Sequence, residues 1–155
     1  ECAHSGRCVA DCAAHAQGRQ LDLPTPKPRR ELPVRSVRML LLCGANEKVL
    51  LERRPPVGIW GGLWSFPECS LELDVADWCR ERLGLTVSVE PVWRIFRHTF
   101  SHFHLDITPT PARVMEQGRW VMEEERFVWY NSRRLDDRGM AAPVRRLLAM
   151  LVDER

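Results

Sequence analysis

This chain of 155 residues has no apolar run approaching the roughly 18 residues a membrane-spanning helix needs, and no charged-then-apolar leader. It also lacks a strong charge of either sign. Against 23 Lys and Arg stand 21 Asp and Glu, and the formal net charge of +2 is too small to mark the whole chain as a binder of polyanions. A basic patch must therefore be sought locally. Internal repeats and low-complexity tracts are missing, and the six cysteines come without a secretion signal, which favours free or metal-bound thiols over disulfides. The expected location is the cytosol. With 45% hydrophobic and 28% charged positions, the composition supports one compact domain with a real core, plus a tail. Glu1 rather than Met stands first, with Cys2 behind it, so the chain is expected to be a piece of a longer protein.

Residues 1–20 are rich in Cys, Ala and His without strand alternation, and are expected to form a short coil or helical turn with little core. Residues 21–35 carry prolines at 24, 26, 28 and 33 and read as an extended, semi-rigid linker. From Arg19 to Arg38, six basic residues (Arg19, Lys27, Arg29, Arg30, Arg35, Arg38) face two acids, Asp22 and Glu31, a charge run that is either simply solvated or suited to a phosphate backbone. The folded domain is expected over 36–155.

Within it, Val37–Cys43 and Lys48–Arg53 are short apolar runs about Gly44–Glu47, the pattern of a hairpin in a buried sheet. Val75, Trp78, Cys79 and Leu83 recur at helical spacing, with Asp74 placed to cap the start and Gly84 the end. Residues 86–97 and 102–108 read as strands on either side of a Thr99–Phe100–Ser101 corner, and Gly118–Met122 and Phe127–Tyr130 as further strands. Val144, Leu147, Leu148 and Leu151 predict a closing helix, with Pro143 acceptable in its first turn. These elements give an α+β fold, a mixed sheet flanked by helices.

The stretch His98–Leu105 gathers a serine and histidines where strand alternation offers no usual turn residue. Loops of that kind often read a ligand, although a half-buried hairpin whose histidines face water has the same spacing. Upstream lies Arg53–Pro67 (RRPPVGIWGGLWSFP); downstream lie Trp129–Asn131 and Gly139–Val144. Taken in this order, the segments resemble the C-terminal domain of the MutY family of A/G-specific adenine DNA glycosylases.

That resemblance implies a Nudix-like fold. Gly61, Gly62, Trp64, Phe66–Pro67 and a helix ending in Leu83–Gly84 resemble the entry and exit of a Nudix box. Active Nudix pyrophosphohydrolases carry on that helix an Arg-Glu pair and then two adjacent glutamates, because magnesium on a diphosphate needs several carboxylates from one face. Counting back from Gly84, the glutamate pair falls on Glu81 and Arg82, and the Arg-Glu pair on Asp77 and Trp78. Only one of the three carboxylates is kept, so no pyrophosphatase activity is expected. Asp77 and Glu81, one turn apart, read as a solvated face rather than an ion site.

The resemblance further implies that the domain recognises 8-oxoguanine opposite adenine, with Phe100, Ser101 and His102 as the probe. The chemistry agrees with it. The lesion exchanges guanine's N7 acceptor for an N7–H donor and gains an oxygen on C8, so a reader needs an acceptor beside a donor, and Ser101 has both. Phe100 and His102 would shape the loop or touch the DNA. Arg94 and Arg97 are candidate phosphate contacts, or else solvent-facing strand residues. Adenine excision needs base flipping and a carboxylate, and no such machinery is seen; Glu123, Glu124 and Glu125 read as a solvated loop. The implied partners are double-stranded DNA with 8-oxoguanine opposite adenine and a catalytic N-terminal domain in the same chain, with a nucleoid-associated cytoplasmic location and no membrane.

Cys43, Cys69 and Cys79 read as small buried hydrophobes. The glycosylase family carries a four-cysteine iron-sulfur cluster ending in C-x5-C, a spacing that Cys2 and Cys8 share, with Cys12 either surplus or the last ligand. The cluster would belong to the intact parent; zinc held by Cys2, His4, Cys8 and Cys12 is the alternative. Two other functions remain open: a Nudix pyrophosphohydrolase acting on oxidised nucleotides, and a docking domain that only holds a catalytic partner.

Overall fold

The computed structural model describes residues 31–117, 125–131, 133 and 138–153. The cysteine segment with Cys2, His4, Cys8 and Cys12, the linker up to residue 30, the strand expected at 118–122, and Glu123 and Glu124 lie outside the described residues. The chain divides into two compact units, 1–31 and 32–155, and every described helix and strand belongs to the second.

Strand β1 runs from Val34 to Cys43, so the stretch read as linker overlaps it at Val34 and Arg35. A single 3-10 turn at Ala45–Glu47 leads to β2 at Lys48–Arg53, as the hairpin pattern predicts. Two short strands follow, β3 at Trp64–Ser65 and β4 at Glu68–Cys69, then helix α1 at Val75–Leu83. Strands β5 (Leu85–Val89), β6 (Phe96–Thr99), β7 (His104–Gln117) and β8 (Phe127–Asn131) precede helix α2 at Ala142–Asp153. The described strands form one mixed sheet in the order β3-β2-β1-β7-β5, with β4 on β1, β6 on β7 and β8 on β2. Only β1 and β7 run parallel among these pairs.

Met39 to Cys43 are all buried because β1 is covered on both sides, which is why its sequence is continuously apolar rather than alternating. Met39, Leu41 and Cys43 point into one cluster with Val144, Leu147, Leu148 and Leu151 of α2. Leu40 and Leu42 point into the other, with Val75, Cys79 and Leu83 of α1. A sheet between two helices therefore follows from the parity of one strand. Both ends of α1 form as the sequence predicts. Asp74 accepts a hydrogen bond from the Asp77 N–H at 2.9 Å, and Gly84 closes the helix at φ 63°, its N–H donating to the Arg80 carbonyl. The Arg38 guanidinium donates to the carbonyls of Leu73 and Leu71, tying the approach to α1 onto β1.

The strand expected at 86–97 is in fact two, β5 and β6, with residues 90–95 leaving the ladder between them. The strand expected at 102–108 starts at His104 and continues to Gln117, through Pro109 and Pro111. The two departures share one cause. The Pro111 carbonyl accepts from the Glu90 N–H at 2.9 Å and the Pro109 carbonyl from the Trp93 N–H at 3.0 Å. A strand residue turns its N and O to the same side, so the missing proline donors face the stretch where the neighbouring chain has left regular pairing.

Candidate functional site

The corner between β6 and β7 spans Phe100–Phe103. It is closed by the Phe100 N–H donating to the Phe103 carbonyl at 2.9 Å, and braced at its base by Thr99 Oγ1 and His104 Nδ1, 2.9 Å apart. Ser101 and His102 are exposed, Phe100 is half-buried and Phe103 is buried in the α2-side core. The Ser101 Oγ lies 3.2 Å from His102 Nδ1.

Rings hold this turn. Phe100 stacks on Phe103 with centroids 4.5 Å apart and planes 18° apart, and His98 meets Phe100 edge-on at 4.8 Å. Trp60, from the loop between β2 and β3, reaches across the chain to His98 at 5.8 Å and Phe100 at 5.7 Å. Phe100 is thus largely spent on packing, and the groups left facing solvent at the tip are Ser101 and His102. Trp60 lies inside the stretch that carried the resemblance, but its partners in the corner are far away along the chain and leave no mark in local spacing.

Arginines rim the corner. Arg97 is engaged by Asp106 across the strand pair, Nε to Oδ1 at 2.6 Å and Nη2 to Oδ2 at 2.9 Å; this bond draws the Asp106 carboxyl below its ordinary value. Arg94 is exposed on the 90–95 excursion. Two further arginines lie over rings: Arg35, from the basic run noted in the sequence, 4.9 Å over the Phe103 ring, and Arg146, which no sequence signal marks, 4.9 Å over the Phe96 ring. Both are exposed, and among the described residues neither has a carboxylate partner.

The box helix α1 is built differently. Asp77, Glu81 and Arg82 are exposed, and Asp77 is paired with Arg80 one turn on. Trp78 lies half-buried against the α1-side core. Among the described residues no group of three or more His, Cys, Asp or Glu side chains could hold a metal ion. Burial pushes the Cys79 thiol up to about 12 and raises that of Cys69, and these two cysteines, like Cys43, are buried, as the sequence suggests. A further acid, Glu68, pairs with Arg54 at 2.6 Å; burial raises its carboxyl against the pull of that guanidinium.

A mixed sheet between two helices, with a glycine-framed loop leading into a capped helix, defines the class. Residues 38–150 match the NUDIX domain, and the chain belongs to that family. Its curated relatives bear out the narrower resemblance read from the sequence. The chain is 23% identical over 138 residues to an adenine DNA glycosylase of Buchnera aphidicola subsp. Acyrthosiphon pisum, covering 89% of this chain and 39% of that one. It is 20% identical over 141 residues to the adenine DNA glycosylase of Buchnera aphidicola subsp. Schizaphis graminum, covering 90% and 40%. The chain thus spans about two fifths of the length of these relatives. Among solved structures, the MutT protein of Methanosarcina mazei Go1 superposes with a TM-score of 0.60 at 16% identity, over 81% of this chain and 97% of that one. The C-terminal domain of mouse MUTYH, solved with human PCNA, superposes with a TM-score of 0.55 at 17% identity, over 77% and 88%. At these identities the superpositions establish the fold. No helix among the described residues is long and apolar enough to cross a membrane.

Proposed function

We propose that this chain is the lesion-reading part of an adenine DNA glycosylase, recognising 8-oxoguanine opposite adenine in duplex DNA, and that it performs no hydrolysis itself. The observation that carries this reading is an exposed hydroxyl at a ring-braced tip, 3.2 Å from an imidazole nitrogen. A free serine hydroxyl is a poor discriminator, because it rotates to donate to the N7 of ordinary guanine or to accept from the N7–H of the lesion. His102 removes that ambiguity. In the tautomer with its proton on Nε2, Nδ1 accepts the Ser101 hydroxyl proton, which leaves Oγ as an acceptor only. Such an oxygen suits the N7–H of 8-oxoguanine and meets the N7 of guanine lone pair to lone pair. Leaving one such contact unmade costs about 1–3 kcal/mol, roughly tenfold to a hundredfold in preference.

Arg35 and Arg146, stacked on Phe103 and Phe96, are suited to the phosphates beside the base being read, and Arg94 extends the same rim. Arg97 takes part only by sharing or leaving Asp106. Excision of adenine would belong to the rest of a longer protein acting on DNA in the cytoplasm, and an iron-sulfur cluster to that intact protein, with Cys2, Cys8 and Cys12 as candidate ligands. On the box helix, Arg82 puts a cation and Trp78 an indole where a diphosphate-bound magnesium would need carboxylates, which argues against a nucleotide hydrolase.

The test is binding of this chain, at low salt, to duplexes that differ only in 8-oxoguanine or guanine opposite adenine. The expected result is tighter binding to the lesion, with His102→Ala narrowing the gap by strengthening the undamaged complex. Equal affinity of the unaltered chain for both duplexes refutes the proposal, and magnesium-dependent release of pyrophosphate from a nucleoside triphosphate would replace it with the hydrolase reading.

A further inference from the structure

We infer that Trp60 is a positioning residue for the Ser101 corner, its ring held in place by a backbone conformation that a tryptophan does not adopt freely. Trp60 has φ 55°, in the left-handed region that bulky side chains avoid. Such outliers persist only where the surroundings over-determine them, and here they do. The loop is pinned at its base by the Arg54 N–H donating to the Leu63 carbonyl at 2.8 Å. Inside it, the Gly62 N–H reaches the carbonyls of Arg54 and Pro55, and the Leu63 N–H that of Trp60 at 3.0 Å. Gly61 passes so close to Pro56 that a Cβ there would lie 2.4 Å from the Pro56 oxygen. Glycine is required at 61, whereas nothing in the backbone asks for tryptophan at 60.

What the strained residue delivers is its ring. It touches both His98 and Phe100, and Phe100 in turn stacks on Phe103 across the turn that carries Ser101. Ser101 and His102 themselves face solvent, so the orientation of their hydroxyl and imidazole depends on how firmly the rings on either side are held. Trp60 closes that set from the far side, out of reach of the turn's own hydrogen bonds. This inference rests on the lesion-reading proposal for its functional consequence, but not for the coupling itself.

Three substitutions separate positioning from plain stability. Trp60→Ala removes the ring and keeps the backbone cost; Trp60→Gly removes the ring and relieves that cost; Trp60→Phe keeps an aromatic face. Trp60→Gly is expected to melt above Trp60→Ala, yet both should lose lesion preference alike, by about threefold to tenfold for the lost ring contacts, while Trp60→Phe keeps most of it. In all ring-less forms, the proton signals of the His98 and Phe100 rings and the Ser101 amide should shift and broaden. Lesion preference that is unchanged in Trp60→Gly, or that follows melting temperature rather than the presence of a ring, overturns the inference. If the unaltered chain shows no lesion preference while the Ser101 amide still responds to loss of the ring, the coupling stands and the lesion-reading proposal fails instead.

Discussion

The β6–β7 corner and the box helix α1 are two regions of one fold with opposite fates. On α1, positions where an active Nudix hydrolase needs carboxylates carry Trp78 and Arg82, and the buried face is filled by Val75, Cys79 and Leu83 with no charge at all. At the corner, an exposed hydroxyl and imidazole stand on a stack of rings, with two arginines placed over neighbouring aromatics. On the buried face of α1 no polar group is found; the corner presents a hydroxyl and an imidazole at the surface. The contrast teaches that a shared fold locates nothing by itself, and that function follows where pre-organised, solvent-facing polar atoms remain.

The largest expected effect is at the base of the corner. Phe103→Ala empties a buried site under Phe100, and should lower stability by about 3–5 kcal/mol in denaturant titration and abolish lesion preference with it. That substitution makes the corner as dependent on the core as α1 is. A smaller change acts on the scaffold alone. Asp74→Ala removes the N-cap of α1 and should cost about 1 kcal/mol without altering the ratio of affinities for damaged and undamaged duplex. A shift in that ratio would break the comparison, since it would tie α1 to recognition. The smallest effect at neutral pH concerns Cys79. Its folded thiol is pushed from 9.0 to about 12, so above 9.0 the unfolded chain releases a proton that the folded chain retains, and stability falls as pH rises through that window. Cys79→Val should flatten this alkaline decline in pH-dependent unfolding and leave stability near pH 7 little changed.

How far these features could be read from the sequence depended on whether their cause was local. The apolar run 39–43, buried on both sides, and the Asp74 and Gly84 caps are local signals, and the elements appear where they predict. The length of β7 was hidden: the strand was expected to stop at 108, whereas it runs on through Pro109 and Pro111, whose absent donors face the neighbouring excursion at 90–95 and no regular partner. Ser101 was legible as a hydroxyl in a strand corner. Its bracing was not: Trp60 meets Phe100 only through tertiary folding, and Arg97 meets Asp106 only through the β6–β7 register. Arg146 was hidden for the same reason, and Arg35 was visible only as one charge of a basic run, since a cation over a ring on another element has no sequence period.

The most direct test is the ratio of affinities for duplexes with 8-oxoguanine or guanine opposite adenine, measured at one low salt concentration for the unaltered chain and for Ser101→Ala. With the exposed hydroxyl as the reader, the ratio should fall by roughly tenfold to a hundredfold, through weaker binding to the damaged duplex and no weaker binding to the undamaged one. A ratio that survives the loss of that hydroxyl would contradict the account, and would leave the corner as a packed turn in a domain whose task is to hold something else.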